Sequence, residues 1–141
     1  MRVPHTTEAP TLRMIVPATA ANVTLLRQAA TGVAEAVGFP TQSVEDVRLA
    51  VTEACTNVVM HAYEPEREDT CIVFEALVGP GGELLLSVRD DGRGPSESSE
   101  APGLGLGLAL IAALASDHEL RRNPAGRGAE MWMAFSPRLE A

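Results

Sequence analysis

Three short segments of this 141-residue chain carry residue types that chemistry needs. The first is Glu53-Ala54-Cys55-Thr56-Asn57, followed by His61. Glu53, Asn57 and His61 are spaced by four. Each such step turns a helical side chain by only ~40° about the axis, so the three form one polar ridge. The second segment is Val88-Arg89-Asp90-Asp91-Gly92-Arg93-Gly94. Strand alternation puts Leu84, Leu86, Val88 and Asp90 on one face and Leu85, Ser87 and Arg89 on the other. Asp90 therefore ends an apolar face where the core opens. A carboxylate there needs donors, and an adenine amino group is one candidate. Asp91 faces the other way. The third segment is Gly103-Leu104-Gly105-Leu106-Gly107-Leu108, opening a helix. Glycines at a helix start let backbone N–H groups approach a phosphate, and the helix dipole favours the anion. Each segment alone also has a plain explanation: a solvated helix face, an ordinary Asp-Gly turn, glycines for close helix packing.

Periodicity supplies the scaffold. Residues 1–10 are polar, carry two prolines and read as a flexible tail. Thr11 to Val16 suits a first strand, ended by Pro17. Val23, Leu26, Ala30, Val33 and Val37 mark the core stripe of a helix, stopped by Gly38-Phe39-Pro40. A second helix runs from about Thr41 to about Tyr63, with Val44, Val47, Val51, Ala54, Val58 and Ala62 inward. Ser43 with Asp46 resembles a capping box, Asp replacing Glu. Glu64 to Thr70 is a charged turn. Cys71 to Val78 and Glu83 to Asp90 read as a hairpin over Gly79-Pro80-Gly81-Gly82. Leu104 to Ala115 is a helix. Glu119 to Arg122 and Ala129 to Phe135 form a last strand pair. Trp132 alternates away from Met131, Met133 and Phe135, toward the outer sheet face, either under a tail or at a contact surface. The order predicts an α/β fold, an α+β two-layer sandwich: a mixed, mostly antiparallel sheet with helices on one face. One domain spans residues 11–136, between tails 1–10 and 137–141.

Composition narrows the function. Eleven basic against nineteen acidic residues give a net charge of −8. With no basic block, nucleic acid is excluded as the main partner, and so is an anionic membrane surface. Aromatics are only 4%, so the core must be aliphatic. Cys55 and Cys71 make no disulfide framework and no zinc motif, and read as core filler with free thiols. The N-terminus lacks the apolar run of a signal peptide, and Leu104 to Ala115 is too short to span a bilayer. A soluble, cytoplasmic protein is expected.

Taken together, the three segments are more specific. A helix with a carboxylate and an Asn, then Asp-x-Gly-x-Gly after a strand, then a polar loop and a Gly-x-Gly helix start resembles the nucleotide site of the GHKL ATPase superfamily (gyrase, Hsp90, histidine kinases, MutL). The resemblance runs from about Arg13 to about Phe135. The stretch from Glu45 to Tyr63 is similar to the N-box of the anti-sigma factor serine/threonine kinases. Gly105-Leu106-Gly107-Leu108-Ala109-Leu110-Ile111 is similar to their second glycine box.

That resemblance implies ATP and Mg²⁺ as cofactors. Asn57 would hold Mg²⁺ through its side-chain oxygen, and Glu53 would be the general base. Asp90 would accept from the adenine amino group. Gly92 and Gly94 would let the chain pass close to the base, and Gly105, Leu106, Gly107 and Leu108 would hold the phosphates. His61 would fix the helix end through a hydrogen bond. The implied protein is an ATP-binding anti-sigma factor with serine/threonine kinase activity toward an anti-anti-sigma (STAS) partner, acting as a homodimer that also binds a sigma factor.

Two departures bear on the chemistry. The lid from Pro95 to Gly103 has no Lys or Arg, and Arg93 lies at its wrong end. Gly128-Ala129 stands where the family often has Gly-Thr, which removes a hydroxyl near the pocket. Both departures affect phosphoryl transfer more than nucleotide binding. Two alternatives stay open: a nucleotide-gated binding module without phosphoryl transfer, and a detached histidine-kinase ATPase domain. For the latter, His5, His61 and His118 are not placed as phosphoacceptors on a dimerisation helix.

Overall fold

The computed structural model describes residues 10–95 and 104–137, and in the second stretch it describes side chains from residue 107 on. Along the chain come β1 (Leu12–Pro17), α1 (Ala20–Ala36), α2 (Thr41–Asn57), a π-helical turn (Val58–Ala62), β2 (Cys71–Val78), β3 (Leu84–Arg89), α3 (Leu104–Leu114), β4 (Asp117–Arg122) and β5 (Ala129–Phe135). The expected tails and the lid fall largely outside the described residues, at 1–9, 96–103 and 138–141.

Local chemistry explains the helix ends. Thr19 caps α1: its Oγ1 accepts from the Asn22 N–H at 3.4 Å. Ser43 is not the N-cap of α2, so the capping box expected at Ser43 and Asp46 does not mark its start. Pro40 is extended (φ −61°, ψ 158°) and α2 starts directly after it. Ser43 and Asp46 fall inside the first turns and are buried, and Gln42 Nε2 donates to Asp46 Oδ1 at 3.1 Å. The second helix also does not run as one α-helix to Tyr63. Its last turn, Val58 to Ala62, is π-helical. Such turns are rare and recur at functional sites. Hydrophobic spacing over a single turn does not separate them from α-helix.

The sheet order is β1-β2-β3-β5-β4. The two-layer α+β arrangement is the expected one, and every neighbouring strand pair is antiparallel. The β2–β3 and β4–β5 connections are hairpins. α3 carries the chain over so that β5 lands beside β3. Leu84, Leu86 and Val88 face the helices, as alternation predicts. With Phe74, Met133, Ile111 and the α1 and α2 stripes they form the main core. No helix among the described residues is long and apolar enough to cross a membrane.

The opposite sheet face carries a ladder of alternating charge, one residue per strand: Arg13, Glu75, Arg89, Glu130 and Arg121. Arg13 and Arg89 each reach Glu75 at 2.7 Å. Arg89 lies 3.6 Å from Glu130, which also pairs with Arg121. Trp132 lies on this face as expected. It packs with Leu85, Ala134 and Leu77, under the Arg121 guanidinium at 5.0 Å.

Candidate functional site

β3 runs out of strand at Arg89, and the next residue, Asp90, is only 5% exposed. A buried carboxylate needs donors, and two backbone groups supply them. The Gly92 N–H donates to Asp90 Oδ1 at 2.9 Å and the Ala129 N–H to the same oxygen at 3.2 Å. Oδ2 receives no donor among the described residues. Burial pushes the Asp90 carboxyl above the ordinary aspartate value, against the pull of those two N–H groups. The turn is held from two sides. Asn123 Nδ2 donates to the Asp90 carbonyl at 2.8 Å and Arg127 Nε to the Gly92 carbonyl at 3.3 Å, both from the β4–β5 hairpin. On the helix side, the Arg93 N–H donates to the Ala62 carbonyl at 2.8 Å.

That last contact explains Gly92. A Cβ there would stand 2.0 Å from the Ala62 carbonyl oxygen. The backbone of Gly92 has no positive φ, so the constraint is space alone. Gly92→Ala is expected to lose about 2 kcal/mol of stability and to push the turn off the helix end. Denaturant titration and nucleotide affinity together check this. Gly94 lies against the Gly128 carbonyl.

The helix ridge meets the glycine helix. A Cβ on Gly107 would stand 3.0 Å from Glu53 Oε2 and 3.4 Å from both amide atoms of Asn57. Hydrogen at that position leaves room for both polar groups between α2 and α3. Glu53, Asn57 and Gly107 are thus brought to one place, as the sequence predicts. His61 does not join them as a ring donor. Its carbonyl accepts from Arg93 Nη2 at 3.0 Å, so the helix end is fixed by the backbone of His61 and the side chain of Arg93. The same bond occupies the guanidinium that stood nearest the lid in sequence. Leu108 packs on the main core. Gly105 and Leu106 belong to the first turns of α3, and their side-chain surroundings lie outside the described residues. Among the described residues no group of three or more His, Cys, Asp or Glu side chains could hold a metal. Any cation here would rest on the hard oxygens of Asn57 and its neighbour Glu53. Cys55 is fully buried and its thiol is pushed up to about 12 by burial, which fits inert core filler.

Sequence alternation turns Asp91 away from the Asp90 face, and no motif assigns a role to the side chains of Arg67 or Tyr63; the structure joins all three. Arg67 Nη2 reaches Asp91 Oδ2 at 2.9 Å and its Nη1 donates to the Asp91 carbonyl at 3.0 Å. Its guanidinium also lies 4.9 Å from the centre of the Tyr63 ring. The Tyr63 hydroxyl is 3.0 Å from Asp91 Oδ1. Burial pushes the Asp91 carboxyl up, but its bonds to Arg67 and Tyr63 outweigh that and hold it below the ordinary range. An Arg inside a run of surface charges carries no sequence signal for a partner 24 residues away.

Residues 16–135 match the family described as histidine kinase-like ATPase domain. The serine-protein kinase RsbW of Bacillus thuringiensis (strain Al Hakam) is 34% identical over 124 residues, covering 77% of this chain and 76% of that protein. RsbW of Bacillus mycoides (strain KBAB4) is 34% identical over 121 residues, with the same shares. The RsbU and RsbW domains of Rv1364c from Mycobacterium tuberculosis superpose with a TM-score of 0.70 at 22% identity, over 95% of this chain and 35% of that one. The histidine kinase domain of a blue-light activated kinase from Erythrobacter litoralis gives 0.54 at 22% identity, over 85% of this chain and 61% of that one. The two solved structures show the fold alone, and the family match and the curated relatives carry the assignment further. A carboxylate-and-amide ridge against a glycine helix, beside a buried Asp at a strand end, is therefore found in a chain that belongs to the histidine kinase-like ATPase domain family and, within it, to the RsbW serine-protein kinases.

Proposed function

We propose that this chain binds Mg-ATP between Asp90 and the start of α3 and transfers the γ-phosphoryl group to a hydroxyl of a small anti-anti-sigma (STAS) partner. When that partner is absent it holds a sigma factor. The observation that carries the reading is the convergence of Glu53, Asn57 and Gly107, with Asp90 buried beside the same helix end through Gly92 and Ala62. The donor set fits the cation. Mg²⁺ takes few protein ligands and fills its shell with phosphate oxygens and water, so the Asn57 oxygen suffices. When bound, the ion neutralises charge on the β- and γ-phosphates.

The chain's own residues do the rest. Asp90 Oδ2, without a donor of its own among the described residues, accepts from the adenine amino group. Gly92 and Gly94 keep the turn thin enough for the base to approach. Backbone N–H groups in the first turn of α3, at Gly105 and Leu106, would receive the phosphates, with Gly107 and Leu108 continuing the turn that presents them. Glu53 takes the proton of the substrate hydroxyl. That oxygen forms a bond to the γ-phosphorus, the bond to the ADP oxygen breaks, and ADP leaves. The family supports a homodimer and a cytoplasmic setting.

Calorimetry with Mg-ATP tests the pocket. Asp90→Asn turns the adenine-facing oxygen into a competing donor. It is expected to weaken ATP binding by about 100-fold, the scale of a lost charge-assisted hydrogen bond plus an unpaired group. Unchanged affinity in that variant would remove Asp90 from adenine recognition. The engagement of Arg93 by the helix end favours a second reading, ATP-gated binding without transfer. Tight ATP binding with no phosphate on any STAS partner is its signature.

A further inference from the structure

The Asp90 carboxylate owes its orientation to a peptide plane. The Gly92 N–H, which donates to Asp90 Oδ1 at 2.9 Å, belongs to the same rigid amide unit as the Asp91 carbonyl. That carbonyl is gripped by Arg67 Nη1 at 3.0 Å. The same guanidinium holds the Asp91 carboxylate through Nη2 at 2.9 Å and is itself braced by Asp69 at 2.9 Å. Tyr63 closes the arrangement from the helix end: its hydroxyl accepts from the Asp91 N–H at 3.3 Å and stands 3.0 Å from Asp91 Oδ1. Arg67 therefore touches both ends of one residue and fixes the plane that feeds Asp90.

We infer that Arg67 is a positioning residue for purine recognition: by holding the Asp91 carbonyl it locks the 91–92 peptide, and through the Gly92 N–H it aims the Asp90 carboxylate. This rests on Asp90 meeting the exocyclic amino group of the base. A planar fork suits the task, because two parallel donors fix an orientation that a single point charge leaves free to turn. Once Arg67 is removed, the Asp91 carbonyl loses its anchor, the 91–92 plane is held only through its neighbours, and the Gly92 N–H aims less well at the buried carboxylate. The cost falls on ligands whose base carries the amino group. Ligands that lack it never used the aimed oxygen.

The test is calorimetry with two nucleotides: ATP, and purine riboside triphosphate, which lacks the 6-amino group. For Arg67→Ala, ATP affinity is expected to fall about tenfold, the scale of one misaligned charge-assisted hydrogen bond, and affinity for the amino-free analogue to change less than about twofold. Arg67→Lys restores a donor without the fork and is expected to fall between, at about threefold for ATP alone. It also serves if the alanine variant does not fold. Equal losses for both nucleotides would mean general damage to the pocket and overturn the inference. So would wild-type affinity for ATP in both variants. Wild-type protein that binds neither nucleotide would remove the nucleotide site itself, and the inference with it.

Discussion

Alanine in place of Glu53 is expected to slow phosphoryl transfer to the STAS partner by roughly 10²–10⁴-fold while Mg-ATP stays bound. The geometry separates the two quantities. Glu53 lies on the flank of α2 that meets Gly107, and Asp90 lies at the end of β3, so losing the base leaves the adenine contact in place. No hydrogen bond or ion pair of Glu53 is present among the described residues, so its removal orphans none of them and the fold should hold. Single-turnover transfer from labelled ATP reads the rate, and calorimetry reads the affinity. A fall in rate at constant ATP affinity marks an interaction made only in the transition state. Glu53→Gln sharpens the result. Glutamine keeps the length and the polarity of the side chain but cannot take the proton. If Glu53→Gln transfers phosphate at the wild-type rate, Glu53 is a spacer and the general base lies elsewhere. If ATP affinity falls as steeply as the rate, Glu53 serves nucleotide binding rather than the transfer step.

What could be read from the sequence was whatever depended on a long period or on one strand's alternation. The first three positions of the α1 stripe, Val23, Leu26 and Ala30, the apolar face of β3 and its termination at Asp90 follow from spacing alone, and the structure buries each of them; in the last turns of α1 it is Ala34 that is buried, with Val33 and Val37 half-buried beside it. The convergence of Glu53 and Asn57 on Gly107 was legible only because three motifs in one order resemble a known site. No single segment implied it. The misses share a different cause. The capping box at Ser43 lost to Pro40, whose fixed φ starts the helix before the serine. The π turn at Val58 to Ala62 contains no Gly or Pro to announce it. The grip of Arg67 on Asp91 and the charge ladder depend on which residues the register places side by side. Arg13, Glu75, Arg89, Arg121 and Glu130 are scattered along the sequence and become neighbours only in the order β1-β2-β3-β5-β4.

The ladder yields the largest expected effect on stability. Glu130 is 1% exposed, and its carboxylate accepts from Ser87 Oγ at 2.9 Å, from Trp132 Nε1 at 2.6 Å and from Arg121. Glu130→Ala strips three donors of their acceptor inside a packed face. Breaking a buried, hydrogen-bonded ion pair from one side costs about 3–5 kcal/mol, because the remaining groups stay desolvated. Here the lower end applies. The Arg121 and Arg89 side chains are 18% and 24% exposed and can recover some water. A loss of about 3 kcal/mol lowers Tm by roughly 10 °C in a domain of this size. Salt distinguishes the rungs. At 1 M the screening length is about 3 Å, which erases exposed pairs and spares buried ones. Removal of Arg13, whose side chain is 55% exposed, should therefore cost little and nothing further in high salt, whereas the Glu130 loss should persist. ATP affinity per folded molecule should not change, since Glu130 and the helix-side pocket lie on opposite faces of the sheet. Urea melts at two salt concentrations, followed by calorimetry on the folded variant, read all three quantities. A loss under about 1 kcal/mol would mean that the carboxylate is worth no more than an ordinary surface ion pair, and that the packing of Trp132 with Leu85, Leu77 and Ala134 holds this face together.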